Sequence, residues 1–507
     1  MYDTELYQSP MEQGRFSPSL VWSGFLGGTN RKQNISSDEL HANFPIALSA
    51  FYPLRRLILS TVAQTIIMSE SPELHIDFNR DPLIAPTHDS PHILIIGAGI
   101  VGMSAAWTLL DSGYKVTVLA SHFADRVNGD RLTSQIAGAL WEYPPAVCGH
   151  TSDVEALEIA KRWAMVSYHV FKYMAATPYL SGEYAVVMRD AIFFFEKPVN
   201  DDAKHLRKMR EIERSGVSGF LHDKNLTHPF GIDNSKYVDA YKLRSPMIDT
   251  DVALTKITKL VKSKGAQFIT LTLTGKLVDQ EADLLQKYSA DAIVNATGLG
   301  SWELAGDENV YPLRGAMIRV VNNNQHFKKV TTALAVSAEA EGNIETKFIF
   351  IVPRGDGILY TGGFSEPDKT DRLVEDDPKI EEMAKDDERF LPGLDTSHRD
   401  PAYPVAQGLR PARHGDVLCQ RELTYPLPGG RKGYSRIVHC YGHAGSGWSL
   451  SFGSALEVKT LINSALAGEV PEPMHKQAPS AISREQVADL KMLAPTRAKW
   501  DGHKFKY

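Results

Sequence analysis

Three glycines near residue 97 could bring the backbone of this chain close to a phosphate. His92–Ile96 is apolar and predicts a buried strand, and Gly97, Gly99 and Gly102 follow at the turn into a helix. Gly97 permits the tight turn, Gly99 lets the backbone approach a pyrophosphate, and Gly102 lets the helix pack closely on the strand. Phosphates bind at such a helix N-terminus. The spacing therefore predicts a dinucleotide site.

The elements around these glycines complete a strand–helix–strand unit. Apolar residues recur at helical spacing after Gly102, Gly113 ends that helix, and Tyr114–Leu119 alternates as a second strand. The unit spans roughly 30 residues, as a dinucleotide-binding βαβ unit does. The alternative is a glycine-rich turn in an unrelated α/β domain. An acidic residue is expected next to bind the ribose, but Ser121 and His122 stand there and Asp125 is the nearest carboxylate.

Length, charge and composition favour two or more globular units. The chain has 507 residues, a net charge of -6 and 43% hydrophobic residues, which gives no electrostatic reason to expect a nucleic-acid partner. Cys148, Cys419 and Cys440 are odd in number and form no CxxC motif, so we expect neither a disulfide scaffold nor a metal site, and an intracellular, reducing location. No apolar run reaches the roughly 18 residues of a membrane span. The C-terminus lacks a peroxisomal address, which favours the cytoplasm.

The two ends of the chain differ from its middle. Residues 1–90 are rich in polar and turn-forming residues and are predicted to be a poorly ordered extension, with Met68 as an alternative start. The other interpretation is an amphipathic arm docked through Phe51, Leu54, Leu57 and Ile58. Residues 471–507 are predicted to be a C-terminal tail.

The patterns between these ends alternate between two domains. Residues 91–150, 250–312 and 402–470 are predicted to form a nucleotide-binding domain, and residues 151–249 and 313–401 a substrate domain. The predicted fold class is α/β, a Rossmann-like domain interleaved with an α+β domain built on an antiparallel sheet. The predicted helices are Val154–Ala175, Lys204–Ser215, Asp249–Lys264, a helix within Glu375–Glu388, and Ser454–Ala465. The predicted strands are Tyr184–Val187, Ala191–Phe195, Gln267–Leu273, Asp291–Gly298, Ala316–Val321, Phe348–Val352 and Ile358–Gly363.

Two later segments could also contact a bound dinucleotide. The strand within Asp291–Gly298 ends in Asn, Thr and Gly, which can hydrogen-bond to a cofactor or allow its close approach. After a strand at 437–441, the glycine-rich loop 442–449 precedes the last helix and supplies backbone N–H donors and a positive dipole end. In a flavoprotein, this end would stabilise an anionic reduced flavin.

Six short motifs occur in an order and spacing that resemble one enzyme family. They are Ile96–Gly102, Ile136–Trp141, Val294–Gly298, Leu313–Gly315, Gly408–Arg413 and Tyr441–Gly445. Together they resemble the D-amino-acid oxidase family of FAD enzymes over about residues 91–465.

This resemblance implies FAD between the first glycine-rich turn, the loop 133–141 and the loop 442–449, with a small substrate on the face of the flavin. The implied contacts to FAD are Gly97, Ala98, Gly99, Ile100, Val101, Gly102, Ser121, His122, Thr133, Ser134, Gly138, Leu140, Leu273, Thr297, Gly298, Arg314, Gly442, Gly445, Ser446, Gly447, Trp448 and Ser449.

The resemblance also implies the residues that face the substrate. Arg413 is similar to the arginine that binds the substrate carboxylate in the family, a role suited to a planar, permanently charged guanidinium. Arg410 is predicted to brace the loop, and His443 to position backbone near the flavin. Phe350 and Thr346 replace a tyrosine pair of the family. Phe364 and Ser365 follow Gly362-Gly363, where the acid-specific members carry a basic residue, so an acidic substrate is disfavoured.

The predicted reaction is oxidation of a D-amino acid. Hydride would leave the α-carbon for the flavin, and oxygen would reoxidise the flavin to give hydrogen peroxide. Such a step needs positioning and a deprotonated amine more than a protein base. The alternatives are an oxidoreductase of a secondary amine or amino-acid-derived metabolite, a flavin-binding protein without turnover, and a nicotinamide dehydrogenase. The oligomeric state is left open.

Overall fold

The computed structural model describes residues 76–125, 131–138, 140–145, 154–336, 346–355 and 357–474, without the side chains of Glu155 and Thr346. Several predictions concern residues outside these ranges: the extension up to residue 75 with its possible docked arm and alternative start, Cys148, and the tail from residue 475.

The described residues form two sheets and the helices that cover them. The strands are β1 (His92–Ile96), β2 (Lys115–Ala120), β3 (Val186–Phe195), β4 (Leu221–His222), β5 (Asp239–Ile248), β6 (Gln267–Thr270), β7 (Ala292–Asn295), β8 (Val310–Val321), β9 (Ala333–Val336), β10 (Thr346–Lys347), β11 (Phe350–Pro353), β12 (Ile358–Thr361), β13 (Phe364–Pro367), β14 (Val405–Arg413), β15 (Leu418–Arg421) and β16 (Ile437–Tyr441). The helices are α1 (Ile100–Asp111), α2 (Thr133–Ile136), α3 (Val154–Ala176), α4 (Pro178–Tyr184), α5 (Ala203–Arg214), α6 (Thr250–Ser263), α7 (Leu277–Tyr288), α8 (Ser301–Leu304), α9 (Pro378–Phe390) and α10 (Gly447–Leu466).

The first sheet has six strands in the order β15-β16-β7-β1-β2-β6. All its pairs are parallel except β15 with β16. The strands at its centre are apolar because helices cover both faces. Leu94 and Ile96 contact the core on the α7 side, whereas Ile93 and Ile95 contact the core that includes α1 and α10. The predicted Rossmann-like α/β class is confirmed.

The second sheet has ten strands and is built on the long strand β8. β14 pairs with β8 in antiparallel fashion over nine residues, from Val405–Ile318 to Arg413–Val310. The other neighbours are also antiparallel, except for β3 and β9, which run parallel. α9 covers this sheet with the buried side predicted for it, namely Ile380, Met383, Ala384 and Phe390.

Two segments depart from the predicted division into domains. β14 falls within residues 402–470, predicted for the nucleotide-binding domain, but it belongs to the second sheet because it pairs along β8. α3, predicted for the substrate domain, packs on β3 and β5 of the second sheet and also on α10. A Cβ at Gly453 would lie 2.1 Å from the Cα of Trp163, and Ser167 Oγ accepts a hydrogen bond from Phe452 N at 3.1 Å.

Residues 76–90 were predicted as part of the extension but lie against α1. The backbone N–H groups of Asp77 and Leu83 donate to the carboxylate of Asp111 at 2.7 and 2.9 Å. Lys264 Nζ binds the same carboxylate at 2.7 Å, and both charged side chains are fully buried. The boundary at residue 90 is therefore wrong for this segment, because Asp111 needs these backbone donors.

Several predicted elements have different limits; β8, for example, begins at Val310 rather than Ala316. A single strand, β3, replaces the two predicted between Tyr184 and Phe195, because the polar residues in its middle pair with β5. β6 ends at Thr270, before Leu273. α10 begins at Gly447 rather than Ser454, so part of the predicted loop forms the first helical turn. No helix in the described part of the chain is long and apolar enough to cross a membrane.

Candidate active site

A cavity of about 700 Å³ is bounded by the glycine-rich turns of the first sheet and one face of the second. The turn after β1, the loop before α2 and the residues after β16 form one wall. β8, β14 and the residues around β11 form the opposite wall. The carboxyl ends of β1, β7 and β16 all point to this cavity, as expected for the ligand crevice of a parallel sheet.

The turn after β1 can be built only with glycine at two positions. Gly97 has φ +109°, and a Cβ there would lie 2.3 Å from the carbonyl oxygen of Ala296. A Cβ at Gly102 would lie 2.1 Å from the carbonyl oxygen of Gly97. Gly99 is the N-cap residue of α1 and has no side chain to satisfy the first-turn N–H groups. The turn therefore leaves the positive end of α1 open to an anionic ligand.

Ser134 joins the three segments of this wall. Its Oγ accepts a hydrogen bond from Ile100 N at 3.1 Å, and its carbonyl oxygen accepts one from Trp448 Nε1 at 2.8 Å. The short helix α2 that carries Ser134 is held from below, since Thr250 Oγ1 donates to the Gln135 carbonyl at 2.7 Å. This wall of the cavity is therefore held together by hydrogen bonds between its loops.

The residues after β16 present a second helix N-terminus to the cavity. A 3₁₀ turn over Ala444–Ser446 leads directly into α10, whose first residues, Gly447, Trp448 and Ser449, line the cavity. Its first turn supplies backbone N–H groups and a positive dipole end. The cavity thus has two such ends and suits a ligand with a pyrophosphate and a second electron-rich group.

Nearly all the residues predicted to contact FAD lie in the cavity lining. They are Gly97, Ala98, Gly99, Ile100, Val101, Ser121, His122, Thr133, Ser134, Gly138, Leu140, Leu273, Thr297, Gly298, Gly442, Gly445, Ser446, Gly447, Trp448 and Ser449. Gly102 lies behind the turn, where it permits close packing. The prediction for Arg314 is wrong, because its side chain is buried and its guanidinium binds Glu366 and Asp371.

The structure exchanges the roles predicted for Arg410 and Arg413. Arg410 lines the cavity, whereas Arg413 is absent from its lining. The two residues are three positions apart in β14, and an odd spacing places side chains on opposite faces of a strand. Arg413 Nε binds Asp307 Oδ2 at 2.7 Å, and its Cβ would lie 3.0 Å from a Cβ at Gly442. Arg413 therefore supports the loop after β16, and its predicted contact with substrate is wrong.

Asp307 links this support to the cavity wall. It also accepts a hydrogen bond from the hydroxyl of Tyr441 at 3.0 Å, and Tyr441 lines the cavity. Burial opposes ionisation of Asp307, but the hydrogen bond and charge of Arg413 prevail and lower its pKa. The ion pair thus keeps Asp307 ionised where it accepts the hydrogen bond from Tyr441, next to Gly442.

The guanidinium of Arg410 lies across Gly315 of the neighbouring strand. A Cβ at Gly315 would lie 1.9 Å from Arg410 Nη1, so only glycine leaves room for this side chain. Arg410 donates one hydrogen bond, to the carbonyl oxygen of Phe364 at 3.3 Å. Within the described ranges, it has no carboxylate within ion-pairing distance.

The other arginines around the cavity are neutralised. Arg319 binds Asp400 at 2.8 Å, and Arg354 binds Asp249 at 3.1 Å. The guanidinium of Arg354 also lies 4.5 Å from the ring centroid of Tyr360 and donates to the carbonyl of Gly138 at 3.3 Å. Arg354 thus braces the loop before the cavity, whereas Arg410 meets no carboxylate in the part of the chain that the structure describes.

Apolar side chains surround the cavity below Arg410. Phe350 lies in the lining as predicted, and a Cβ at Gly138 would be 2.6 Å from its Cε1. Phe348 lies beside it at a centroid distance of 6.4 Å. Met317 and Leu140 complete this wall. The side chain of Thr346 lies outside the described part of the chain.

Two carboxylates occur in the described lining, and both have partners. Glu142 binds Lys208 Nζ at 2.8 Å, and Glu303 accepts a hydrogen bond from Gly275 N at 2.7 Å. The imidazole of His443 is buried with its Nε2 3.3 Å from Ser454 Oγ. Both carboxylates of the described lining are therefore engaged by other groups of the chain.

Comparison with known proteins identifies the class. Residues 92–461 match the family model described as FAD dependent oxidoreductase, so the chain belongs to this family and FAD is its cofactor. The site fits this cofactor through the two glycine positions of the turn and the two open helix N-termini.

The curated relatives include D-amino-acid oxidases that align over nearly their whole length. The one from Dictyostelium discoideum is 27% identical over 381 residues, which cover 74% of this chain and 92% of that protein. The one from Rubrobacter xylanophilus is 28% identical and covers 74% of this chain and 96% of that protein. Among solved structures, the glycine oxidase from Geobacillus kaustophilus has a TM-score of 0.55 at 16% identity, with 78% of this chain and 99% of that chain covered. This last similarity shows the fold alone.

Sequence reasoning missed three features of the cavity: Arg410 as the cation in its lining, Gly315 beneath it, and Phe348. A signal for the first two was available in the alternation of β8 and β14. Gly315 and Met317 share one face of β8, Gly408 and Arg410 share one face of β14, and Gly315 pairs with Gly408. Identification of 405–413 as a strand would have separated Arg410 from Arg413.

Proposed function

We propose that this FAD-dependent oxidoreductase oxidises the C–N bond of an amine that carries a carboxylate, with a neutral, bulky D-amino acid as the substrate class and oxygen as the electron acceptor. The observation that carries the proposal is the guanidinium of Arg410, which lines the cavity and meets no carboxylate among the described residues. The D-amino-acid oxidases among the curated relatives support the choice of D configuration.

Arg410 suits a carboxylate better than any other ligand group. A guanidinium offers two parallel N–H donors that match the two oxygens of a carboxylate and remains charged at every working pH. Its position over Gly315 restricts its motion, so little conformational freedom is lost on binding. We infer that Arg410 positions the substrate carboxylate.

The apolar wall defines the other end of the substrate. Phe348, Phe350, Met317 and Leu140 offer contact area to an apolar side chain, each added buried methylene contributing about 0.8 kcal/mol. Within the described lining no lysine or second arginine is available to an acidic side chain. D-aspartate would therefore bury an unpaired carboxylate, which is costly.

The residues of the chain position the substrate and exclude water. When bound, FAD supplies the two-electron acceptor. Arg410 fixes one end of the substrate and the aromatic wall fixes the other, and this loss of freedom is the main contribution such a site can make. The absence of an uncommitted carboxylate in the described lining favours binding of the amine in its neutral form.

A substrate panel tests the proposal. Purified protein is assayed for peroxide with D- and L-enantiomers of a bulky neutral amino acid, its N-methyl derivative, the decarboxylated amine, and D-aspartate. We expect the neutral D-amino acid to exceed D-aspartate in kcat/KM by at least about a hundredfold, some 2.7 kcal/mol. Preference for D-aspartate or for the decarboxylated amine would contradict the proposal. Activity with the N-methyl derivative alone would favour a secondary-amine oxidase.

A further inference from the structure

Two of the cysteines face each other across neighbouring strands. Cys419 of β15 is the direct partner of Cys440 of β16 in the antiparallel register. Both thiols are free, and both residues are almost fully buried. Because directly opposite residues point to the same face of a sheet, the two sulfur atoms share one environment.

The pair occupies a position whose geometry permits a disulfide. Glu422 N donates to Ile437 O at 2.9 Å, which makes these two a hydrogen-bonded pair. Pairs alternate along an antiparallel ladder, so three residues further on Cys419 and Cys440 form a non-hydrogen-bonded pair. In agreement, Cys419 N donates outward, to Met474 Sδ at 3.3 Å. Cα atoms of such pairs lie about 4.5 Å apart, within the range of about 4.4–6.8 Å found for disulfides.

The pair also reaches the wall of the FAD cavity. Cys440 and His443 both belong to the cavity lining. Cys440 belongs to the cavity lining and Cys419 does not, so a small oxidant in the cavity meets Cys440 first and Cys419 is placed to resolve it. In agreement, Cys419, His443 and Ser454 together lower the pKa of the Cys440 thiol against the effect of burial. Burial raises the pKa of the Cys419 thiol.

We propose that Cys419 and Cys440 form a redox-active pair that hydrogen peroxide converts to a cross-strand disulfide. The Cys440 thiolate attacks one peroxide oxygen; an S–O bond forms, the O–O bond breaks, and the leaving hydroxide takes a proton to become water. The Cys419 thiol then attacks the sulfenic sulfur and gives up its proton; the S–S bond forms, the S–O bond breaks, and a second water leaves. Two thiols lose two electrons and two protons, and one peroxide becomes two waters.

The inference rests on the proposed function only for the natural source of peroxide. β16 runs from Cys440 directly into the loop 442–449, so the disulfide would form at the strand that carries one wall of the cavity. The pair would thereby reduce a product of the proposed reaction to water at the wall of the same cavity.

Peptide mapping of the holoenzyme tests the pair. The FAD-loaded protein is treated with reagent peroxide without amine, quenched in acid, alkylated and digested with trypsin. Cys419 lies in peptide 414–421 and Cys440 in peptide 437–459, so only a disulfide joins them. We expect one joined peptide pair, two hydrogen atoms lighter than the sum, that dithiothreitol separates. Alkylation of all three cysteines after tenfold excess peroxide, or linkage of either one to Cys148, would overturn the inference.

Two single variants establish the order of the steps. In Cys419→Ser, a dimedone adduct is expected on Cys440, which has lost its resolving partner. In Cys440→Ser, no adduct is expected on Cys419. The reverse pattern would refute the assignment of the nucleophile. The flavin absorbance of each variant shows that it has folded. Because the peroxide is added, a disulfide found in an enzyme inactive with every amine would leave this inference intact and reject the proposed function.

Discussion

Replacement of Arg410 by alanine should damage catalysis only for substrates that carry a carboxylate. Arg410 has no carboxylate partner within the described ranges, so its removal leaves no protein charge unpaired there. The loss falls on the substrate, whose carboxylate stays in the cavity without its cation. Loss of one partner of a buried charge pair costs roughly 3 to 5 kcal/mol. This corresponds to roughly two to four powers of ten in kcat/KM.

The assay compares a neutral D-amino acid with its decarboxylated amine in each variant. For Arg410→Ala we expect the large loss with the amino acid and a change of less than about fivefold with the amine. Arg410→Lys should recover only part of the loss, because an ammonium lacks the paired donors of a guanidinium. A similar loss with both substrates would refute the assignment of Arg410 to the carboxylate.

Arg413→Ala is the matched control, since it removes the same side chain three residues along the same strand. It leaves Asp307 with Tyr441 but without its cation, so we expect a lower Tm and a loss of stability of about 1–3 kcal/mol. The ratio of kcat/KM for the amino acid to kcat/KM for the amine should stay at the value of the unmodified protein. If Arg413→Ala changed that ratio and Arg410→Ala did not, the roles assigned to the two arginines from their positions in β14 would be wrong.

Three further outcomes are expected. Gly99→Val should abolish FAD binding, because its side chain would fill the space beside Ser134 Oγ, which lies 3.2 Å from a Cβ there; Gly182→Val, where a Cβ meets nothing within 4 Å, should keep the flavin absorbance. Removal of residues 1–67 should leave flavin content unchanged, whereas removal of residues 1–90 should lower Tm because Asp111 loses two backbone donors. Burial raises the pKa of Asp387 well above its usual range, so the unfolded chain releases this proton first and the free energy of unfolding falls as pH rises above about 4. Asp387→Asn should flatten this part of a plot of Tm against pH.

The cofactor site was predictable because it depends on local backbone chemistry. Gly97 and Gly102 must be glycine because a Cβ at either position would meet the backbone of the turn or of the neighbouring segment. A βαβ unit of standard length indicates where that turn lies. The loop after β16 was found in the same way, from its glycines before a helix. Such signals lie within short stretches of sequence, so they can be recognised without knowing which distant residues pack against them.

The substrate side depended on contacts between residues far apart in the chain. Whether Arg410 or Arg413 faces the cavity is set by the pairing of β14 with β8, which the motif Arg-Pro-Ala-Arg does not reveal. Arg314 likewise faces away because Gly315 and Met317 occupy the cavity face of β8. Strand register decides whether a side chain faces the cavity or the opposite side of the sheet. Register in turn depends on a partner strand about a hundred residues away in the chain.

From its sequence alone, therefore, this chain was predicted to hold a dinucleotide site in a Rossmann-like unit, because glycine spacing and hydrophobic periodicity are local properties. The resemblance of six short motifs to an enzyme family added FAD to that prediction. Only the tertiary structure decided which arginine of β14 lines the cavity, which residues of the extension dock on α1, and that Cys419 and Cys440 are direct neighbours. These depend on which carboxylates, backbone donors and thiols the fold brings within bonding distance, and long-range packing determines that.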